Sequence, residues 1–291
     1  MRSVHIGRRD LIARAALLAL AGCARPTAAA AAGPLAAIRE RTGGRLGVAA
    51  LDTGSGKRIA LDADGRYAMC STFKLPLAAA VLREVERGAL SLDTPIRFGA
   101  DDLVPYAPVI EANLAAGTLT VAELCAAAVT VSDNVAANLL LRLIGGPAAM
   151  TAFFRDAGDA ASRLDRWEPD LNANLPGDPR DTTTPAAMLV TAERLLLGDM
   201  LSPGSRARLA DWMTACRTGL NRLRAGFPPE WRAGDKTGTS GNGAANDVAI
   251  AWPPNRAPIL IACYVDSPDA SPEQRDRTHA DVARAVVRAF A

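Results

Sequence analysis

Histidine, lysine and aromatic residues are all scarce in this chain. Only two histidines occur, His5 and His279, and three lysines, Lys57, Lys74 and Lys236, stand against 30 arginines. A single histidine beyond the first 33 residues cannot build a zinc site with two or three imidazole ligands, and a Ser-His-Asp triad would rest on His279 alone. That residue lies in the charged stretch 274–279 and is expected to be a solvated surface side chain. Any general base is therefore expected to be Lys or Glu. Where arginine so dominates, a retained lysine marks a place for a compact charge or an amine that can lose its proton.

Aromatic residues make up 4% of the chain, and residues 1–33 hold five arginines and one aspartate, leaving 28 basic against 30 acidic residues in the remainder. A nearly neutral body without stacking residues lacks the field and platform of a nucleic-acid binder, so no nucleic-acid partner is expected. The five cysteines, Cys23, Cys70, Cys125, Cys216 and Cys263, show no C-x-x-C spacing. Neither a metal nor any other cofactor is expected, and the thiols read as mostly buried.

No apolar run reaches the roughly 18 residues of a membrane span. The run 15–21 follows Gly7-Arg8-Arg9-Asp10-Leu11-Ile12, and residues 1–33 read as a twin-arginine-like export signal. Leu20-Ala21-Gly22-Cys23 resembles a lipobox, which would anchor the chain through a lipid on Cys23. The alanine-rich stretch 28–32 offers cleavage and release instead. The protein is expected to be exported: periplasmic, secreted or lipid-anchored at the cell envelope.

With 291 residues, 49% hydrophobic and 22% charged, the chain is long enough for a sizeable core and one or two domains. Apolar-rich runs at 45–52 and 57–62 flank the turn 53–56 and predict a hairpin, while 234–240, 245–252 and 258–265 predict three more strands. Between them, 75–87, 120–129, 133–144, 147–156 and 185–197 read as helices, and 272–290 as a terminal helix. This order predicts an α/β (α+β) fold. An antiparallel sheet built from both chain ends (34–69 and 214–291) carries flanking helices, an all-helical domain (70–213) is inserted, and the active site lies in the cleft between them. The polar stretch 165–184 is too long for an ordinary connection and is a candidate functional loop. Gly54-Ser55-Gly56-Lys57 imitates part of a phosphate loop, but Arg58 stands where a magnesium-binding hydroxyl belongs.

Three short motifs carry chemistry. In Ser71-Thr72-Phe73-Lys74 a hydroxyl and an amine share one helix face, beside backbone N–H groups that favour a developing oxyanion. Pro76, so early in that helix, calls for a local irregularity. Ser132-Asp133-Asn134 precedes a helix and supplies a hydroxyl able to relay a proton and an amide able to hold a substrate carbonyl. Lys236-Thr237-Gly238 lies on a predicted strand, where lysine and threonine can bind an anion and glycine admits a substrate backbone. Each is weak evidence alone; their joint occurrence in this order is not.

Together they resemble the penicillin-recognising serine enzymes, and the resemblance spans about 45–290. Arg166-Trp167-Glu168-Pro169-Asp170-Leu171-Asn172 narrows it to the class A serine β-lactamases, whose omega loop carries a Glu-x-x-x-Asn pair. By that resemblance Ser71 is the nucleophile, Lys74 its neighbouring amine, Ser132 the proton relay and Glu168 the base for a deacylating water held with Asn172. The same likeness makes Arg166 and Asp181 the pair that closes the loop, although on sequence alone both read as exposed charges. It also makes Tyr106 an aromatic wall of the cleft, Asn134 a substrate ligand, Thr239 an oxyanion donor through its N–H, and Arg222 a cation near the substrate carboxylate. Arg224, two residues on, competes for that last assignment.

The chain departs from relatives in two places. Cys125 faces Ala78 where a disulfide partner is usual, and Cys70 meets Ser240 where carbapenem-hydrolysing members carry a second cysteine, which lowers the expectation of strong carbapenem turnover. The resemblance implies hydrolysis of penicillins and cephalosporins through a serine acyl-enzyme, hence β-lactam resistance, by a monomer. A D-alanyl-D-alanine peptidase or a non-catalytic β-lactam sensor lipoprotein shares the first three motifs; Glu168 separates them. Whether Lys74 or Glu168 takes the Ser71 proton stays open.

Overall fold

The computed structural model describes residues 29–291, so the twin-arginine-like stretch and Cys23 lie outside the described residues. Helix α1 (Ala29–Thr42) already covers the end of the expected export segment. The hairpin β1 (Arg45–Asp52) and β2 (Arg58–Leu61) follows, then the short strand β3 (Tyr67–Ala68) and helix α2 (Lys74–Glu86). Strand β4 (Pro95–Arg97), helix α3 (Pro108–Ala112) and strand β5 (Thr118–Thr120) lead to helices α4 (Val121–Thr130), α5 (Asn134–Ile144) and α6 (Pro147–Asp156). Strand β6 (Thr182–Thr183) precedes α7 (Pro185–Leu196) and α8 (Pro203–Thr214). The chain ends with β7 (Arg232–Thr239), β8 (Ala244–Trp252), β9 (Ile259–Asp266) and α9 (Pro272–Phe290).

Five strands form one antiparallel sheet in the order β2-β1-β9-β8-β7, so the first and last parts of the chain meet at the β1–β9 pairing, with Arg45 opposite Asp266 and Asp52 opposite Ile259. Both faces of this sheet are covered, which is why β1, β8 and β9 read as nearly continuous apolar runs rather than alternating ones. On one face the residues of α1 and α9 join Leu46, Val48, Ile261 and Val265 in a core. The other face packs with α2, α4, α5, α7 and α8 around Phe73, Leu77, Leu140 and Tyr264.

Local signals fix the elements that carry the site. Asp133 caps α5, one carboxylate oxygen accepting from Ala136 N at 2.9 Å and the other from the N–H groups of Val109 and Ile110 at 2.9 and 3.1 Å. One aspartate thereby ties the start of α5 to α3. Gly145, at φ +99°, ends α5 in the left-handed conformation that glycine adopts without strain. The irregularity demanded by Pro76 is a 3-10 turn, Cys70–Phe73, so that α2 begins only at Lys74 and proline occupies its first turn, where no N–H is needed.

Helices α3 and α8 and the two-stranded pairs β3–β6 and β4–β5 were not anticipated; α8 carries Gly204, Ser205 and three charged residues, Arg206, Arg208 and Asp211, in a stretch of weak apolar periodicity. No single helix among the described residues is long and apolar enough to cross a membrane.

Candidate active site

Ser71 sits in the 3-10 turn that feeds α2, buried beside the last residues of β7. A Cβ on Gly238 would fall 2.7 Å from Met69 O and 3.1 Å from Ser71 N. Only glycine lets β7 lie this close to Ser71. Tyr106 and Ser132, which line the cleft, and Cys70, buried next to Ser71, hold positive φ angles of 66°, 64° and 46°. Such backbone costs roughly 1–3 kcal/mol each and persists where surrounding structure dictates the position of a functional group.

A continuous polar chain runs from Ser71. Ser71 Oγ donates to Glu168 Oε1 at 3.1 Å, and Lys74 Nζ stands 2.9 Å from that same oxygen. Lys74 also donates to Ser132 O at 2.8 Å, to Asn134 Oδ1 at 2.5 Å and, less closely, to Ser132 Oγ at 3.4 Å. From the other side Lys236 Nζ donates to Ser132 Oγ at 3.0 Å and to Thr237 O at 2.7 Å. Two ammonium groups aimed at its lone pairs leave the Ser132 hydroxyl proton free to point into the cleft.

Burial drives the Lys74 pKa down, and the negative charge of Glu168 works against that shift. Burial, together with the positive charge of Lys74, brings Lys236 down to about 8.

Glu168 is buried, with its backbone clamped by Asn138, whose Nδ2 donates to Glu168 O at 2.9 Å and whose Oδ1 accepts from Glu168 N at 3.0 Å. Asn172 Nδ2 donates to Glu168 Oε2 at 2.5 Å, and Asn172 Oδ1 is buried without a protein partner. The loop is held at its base by Arg166 Nε on Asp181 Oδ2 at 2.5 Å, while Asp181 Oδ1 accepts the N–H groups of Asp165 and Arg166. Asp181 is fully buried, correcting its reading as an exposed charge: those backbone donors and Arg166 replace its water.

Ser71, Tyr106, Ser132, Asn172, Arg222 and Thr237 line a cleft of about 320 Å³, together with Asn134, Thr218, Gly238 and Thr239. Tyr106 is 57% exposed at its rim. Arg222 reaches the cleft, with its Nη2 on Thr239 Oγ1 at 2.8 Å, its Nη1 on Gly238 O and Asn246 O, and its Nε on Asp276 at 2.8 Å. Arg224 turns beneath β7 to Asp235 and the carbonyls of Cys216 and Thr214, so that of the two arginines it is Arg222 that lines the cleft. A larger cavity, about 1000 Å³, lies behind residues 174–180 and brings together none of the three motifs.

The expectation for His279 was wrong. It is buried, its Nε2 meets Ala245 O at 3.0 Å, and burial plus the neighbouring Arg222 charge hold its pKa at about 3, so the ring is neutral with Nε2 protonated. Its charged neighbours in sequence concealed a buried stripe at Thr278, His279, Val282, Ala283 and Val286. Sequence reasoning also missed Asn138 and Thr218. Asn138 stands one helical turn after Asn134 on α5, a spacing that could have revealed it; Thr218 carried no signal. Cys70, Cys125, Cys216 and Cys263 are buried free thiols, as expected.

Residues 31–290 match the β-lactamase enzyme family. The chain is 48% identical over 252 residues to the carbapenem-hydrolyzing β-lactamase KPC of Klebsiella oxytoca, covering 86% of each chain. It is 49% identical over 265 residues to the β-lactamase AST-1 of Nocardia asteroides, covering 91% of this chain and 85% of that one. Among solved structures, an ancestral class A β-lactamase reconstructed for Gram-negative bacteria superposes with a TM-score of 0.88 at 57% identity, over 89% of this chain and all of the other. The chain belongs to the class A β-lactamases, enzymes that hydrolyse β-lactams and confer resistance to them.

Proposed function

We propose that the reaction divides among the cleft residues as follows. Ser71 attacks the β-lactam carbonyl, and its proton passes first to Glu168, the group its hydroxyl already faces at 3.1 Å. Lys74, paired to the same carboxylate oxygen, sets the field in which that transfer occurs. The oxyanion forms between the N–H groups of Ser71 and Thr239, where fixed donors stabilise the developing charge more than water would. Ser132 delivers its proton to the leaving nitrogen and is recharged from the lysines that flank it. Lys236, Thr237 and Arg222 hold the substrate carboxylate, Asn134 orients the substrate amide, and Tyr106 forms a wall.

The observation that carries this reading is the Glu168–Asn172 pair beside Ser71. A serine ester is stable unless a base activates water, and a carboxylate next to an amide oxygen without a protein partner is suited to hold one. The substrates are penicillins and cephalosporins, with carbapenems poorer because Cys70 has Ser240 where a second cysteine would stand. The export signal supports a location outside the cytoplasm, with Cys23 either lipidated or removed, and the enzyme acts as a monomer built from a sheet domain (34–69, 214–291) and a helical domain (70–213).

The test is turnover of a chromogenic cephalosporin by the wild type and by Ser71→Ala and Glu168→Ala, with intact-protein mass on each. Steady turnover by the wild type, none by Ser71→Ala and a trapped adduct in Glu168→Ala are expected. A stable adduct already in the wild type would overturn the deacylation scheme.

A further inference from the structure

A second hydrogen-bonded chain runs beneath β7 and ends in the cleft. Cys216 Sγ lies 3.4 Å from Asp235 Oδ2 and 3.3 Å from Thr218 Oγ1, and Thr218 Oγ1 lies 2.5 Å from Thr237 Oγ1. The other Asp235 oxygen accepts from Arg224 Nη1 at 3.2 Å. The carboxyl is fully buried, and a Cβ on Gly219 would fall 1.7 Å from Asp235 Oδ2, so the turn at that glycine seals it from above.

The donor inventory of this chain restricts its direction. A substrate carboxylate only accepts, so Thr237 must donate its proton to it. Thr237 then has none for Thr218, and Thr218 must donate to Thr237. Thr218 in turn accepts from the Cys216 thiol, and the thiol proton is no longer available to Asp235. The Cys216–Asp235 contact survives only if Asp235 donates, which a carboxylate cannot do and a carboxylic acid can. With Asp235 ionised the whole chain reverses, and Thr237 presents lone pairs to the cleft.

We propose that Cys216 and Thr218 are positioning residues that aim the Thr237 hydroxyl at the substrate carboxylate, and that Asp235 holds a proton while substrate is bound. This rests on the role given above to Thr237. The surroundings agree: burial raises the Asp235 pKa against the pull of Arg224 and Lys236, the nearby carboxyl of Asp247 on β8 also titrates high, and burial keeps the Cys216 thiol protonated.

The experiment compares KM and kcat of full-length wild type, Cys216→Ala, Cys216→Ser and Asp235→Asn on a chromogenic cephalosporin and on its methyl ester, which lacks the carboxylate charge. Cys216→Ala is expected to raise KM for the acid severalfold to about tenfold, the scale of one hydrogen bond to a charge, while kcat and the ester KM move less than about twofold. Cys216→Ser should restore the low KM. Asp235→Asn can keep its oxygen on Arg224 and always donates to sulfur, so its KM for the acid should equal or fall below that of the wild type.

A KM raised in Asp235→Asn as in Cys216→Ala would overturn the protonated carboxyl. An unchanged KM in Cys216→Ala, or an equal rise on acid and ester, would overturn the positioning role. Failure of the wild type to turn over the acid at all would instead strike at the function proposed for the site.

Discussion

Lys74 Nζ and Glu168 Oε1 stand 2.9 Å apart with both side chains wholly withdrawn from solvent. Removing two charges from water costs several kcal/mol per ion, and this pair persists because Ser132 O and Asn134 Oδ1 serve the ammonium while Ser71 and Asn172 serve the carboxylate. The same bonds that stabilise the pair hold Ser71, the proposed nucleophile, and Asn172 on one carboxylate.

Glu168→Gln keeps the shape and removes the base. Deacylation is expected to slow by about 10²–10⁴ or more, the usual worth of a positioned base, and more than acylation, for which Lys74 can take the Ser71 proton, so the acyl-enzyme should accumulate and appear as an added substrate mass. Without the carboxylate that sustains its charge, Lys74 should also lose its proton more readily. An enzyme that turns over at the wild-type rate would remove Glu168 from the mechanism.

Arg166→Ala leaves the buried Asp181 carboxylate with only its backbone donors. Breaking a buried pair from one side typically costs about 3–5 kcal/mol, and here the strain falls on the loop that carries Glu168 and Asn172. The variant is expected to slow in both steps, deacylation more than acylation because Lys74 still stands beside Ser71 for the latter, and to be cut by protease within 165–184 sooner than the wild type. Unchanged deacylation, or a loss of global stability without earlier cleavage within 165–184, would show that the pair supports the fold at large.

The order of elements and the motif residues were legible because both are local. Alternation, helical spacing and caps such as Asp133 act over a few residues, and the five strands and the principal helices fall within two or three residues of their expected places. What was not legible depends on neighbours distant in sequence. His279 is buried because β8 supplies Ala245 O across 34 positions, and Thr218 matters only because β7 places Thr237 beside it. That Arg222 rather than Arg224 lines the cleft likewise follows from which carbonyls β7 and β8 present.

Lys236 has been brought down to about 8 by burial and by Lys74, so it is charged below that pH and neutral above it. If its charge holds the substrate carboxylate, KM should rise severalfold between about pH 8 and about pH 9, with the methyl ester unaffected. Lys236→Arg keeps the charge and should flatten that rise, while lowering kcat through the altered contact with Ser132. Stability should move the other way. Between pH 8 and 10.5 the unfolded chain binds the proton that the folded chain has lost, so this group makes the fold more stable as pH rises through that window. An ester whose KM rises equally would detach the effect from the carboxylate.

His279 predicts the acid limit of the fold. Its folded pKa of about 3 lies below the ordinary 6.5, so between those values the unfolded chain takes up a proton that the folded one refuses. Stability is therefore full above pH 6.5 and falls as pH drops towards 3, by up to roughly 3–5 kcal/mol from this residue alone at about 1.4 kcal/mol per unit. Glutamine can donate to Ala245 O as the imidazole does but does not titrate. His279→Gln, followed by circular dichroism during acid titration, should cost about 1 kcal/mol at neutral pH and move the acid unfolding midpoint downward. Carboxylates with lowered pKa, such as Asp102 and Asp165, also drive acid unfolding, and their share remains in the variant. An unmoved midpoint would assign the acid limit to those carboxylates and leave the buried imidazole without influence on it.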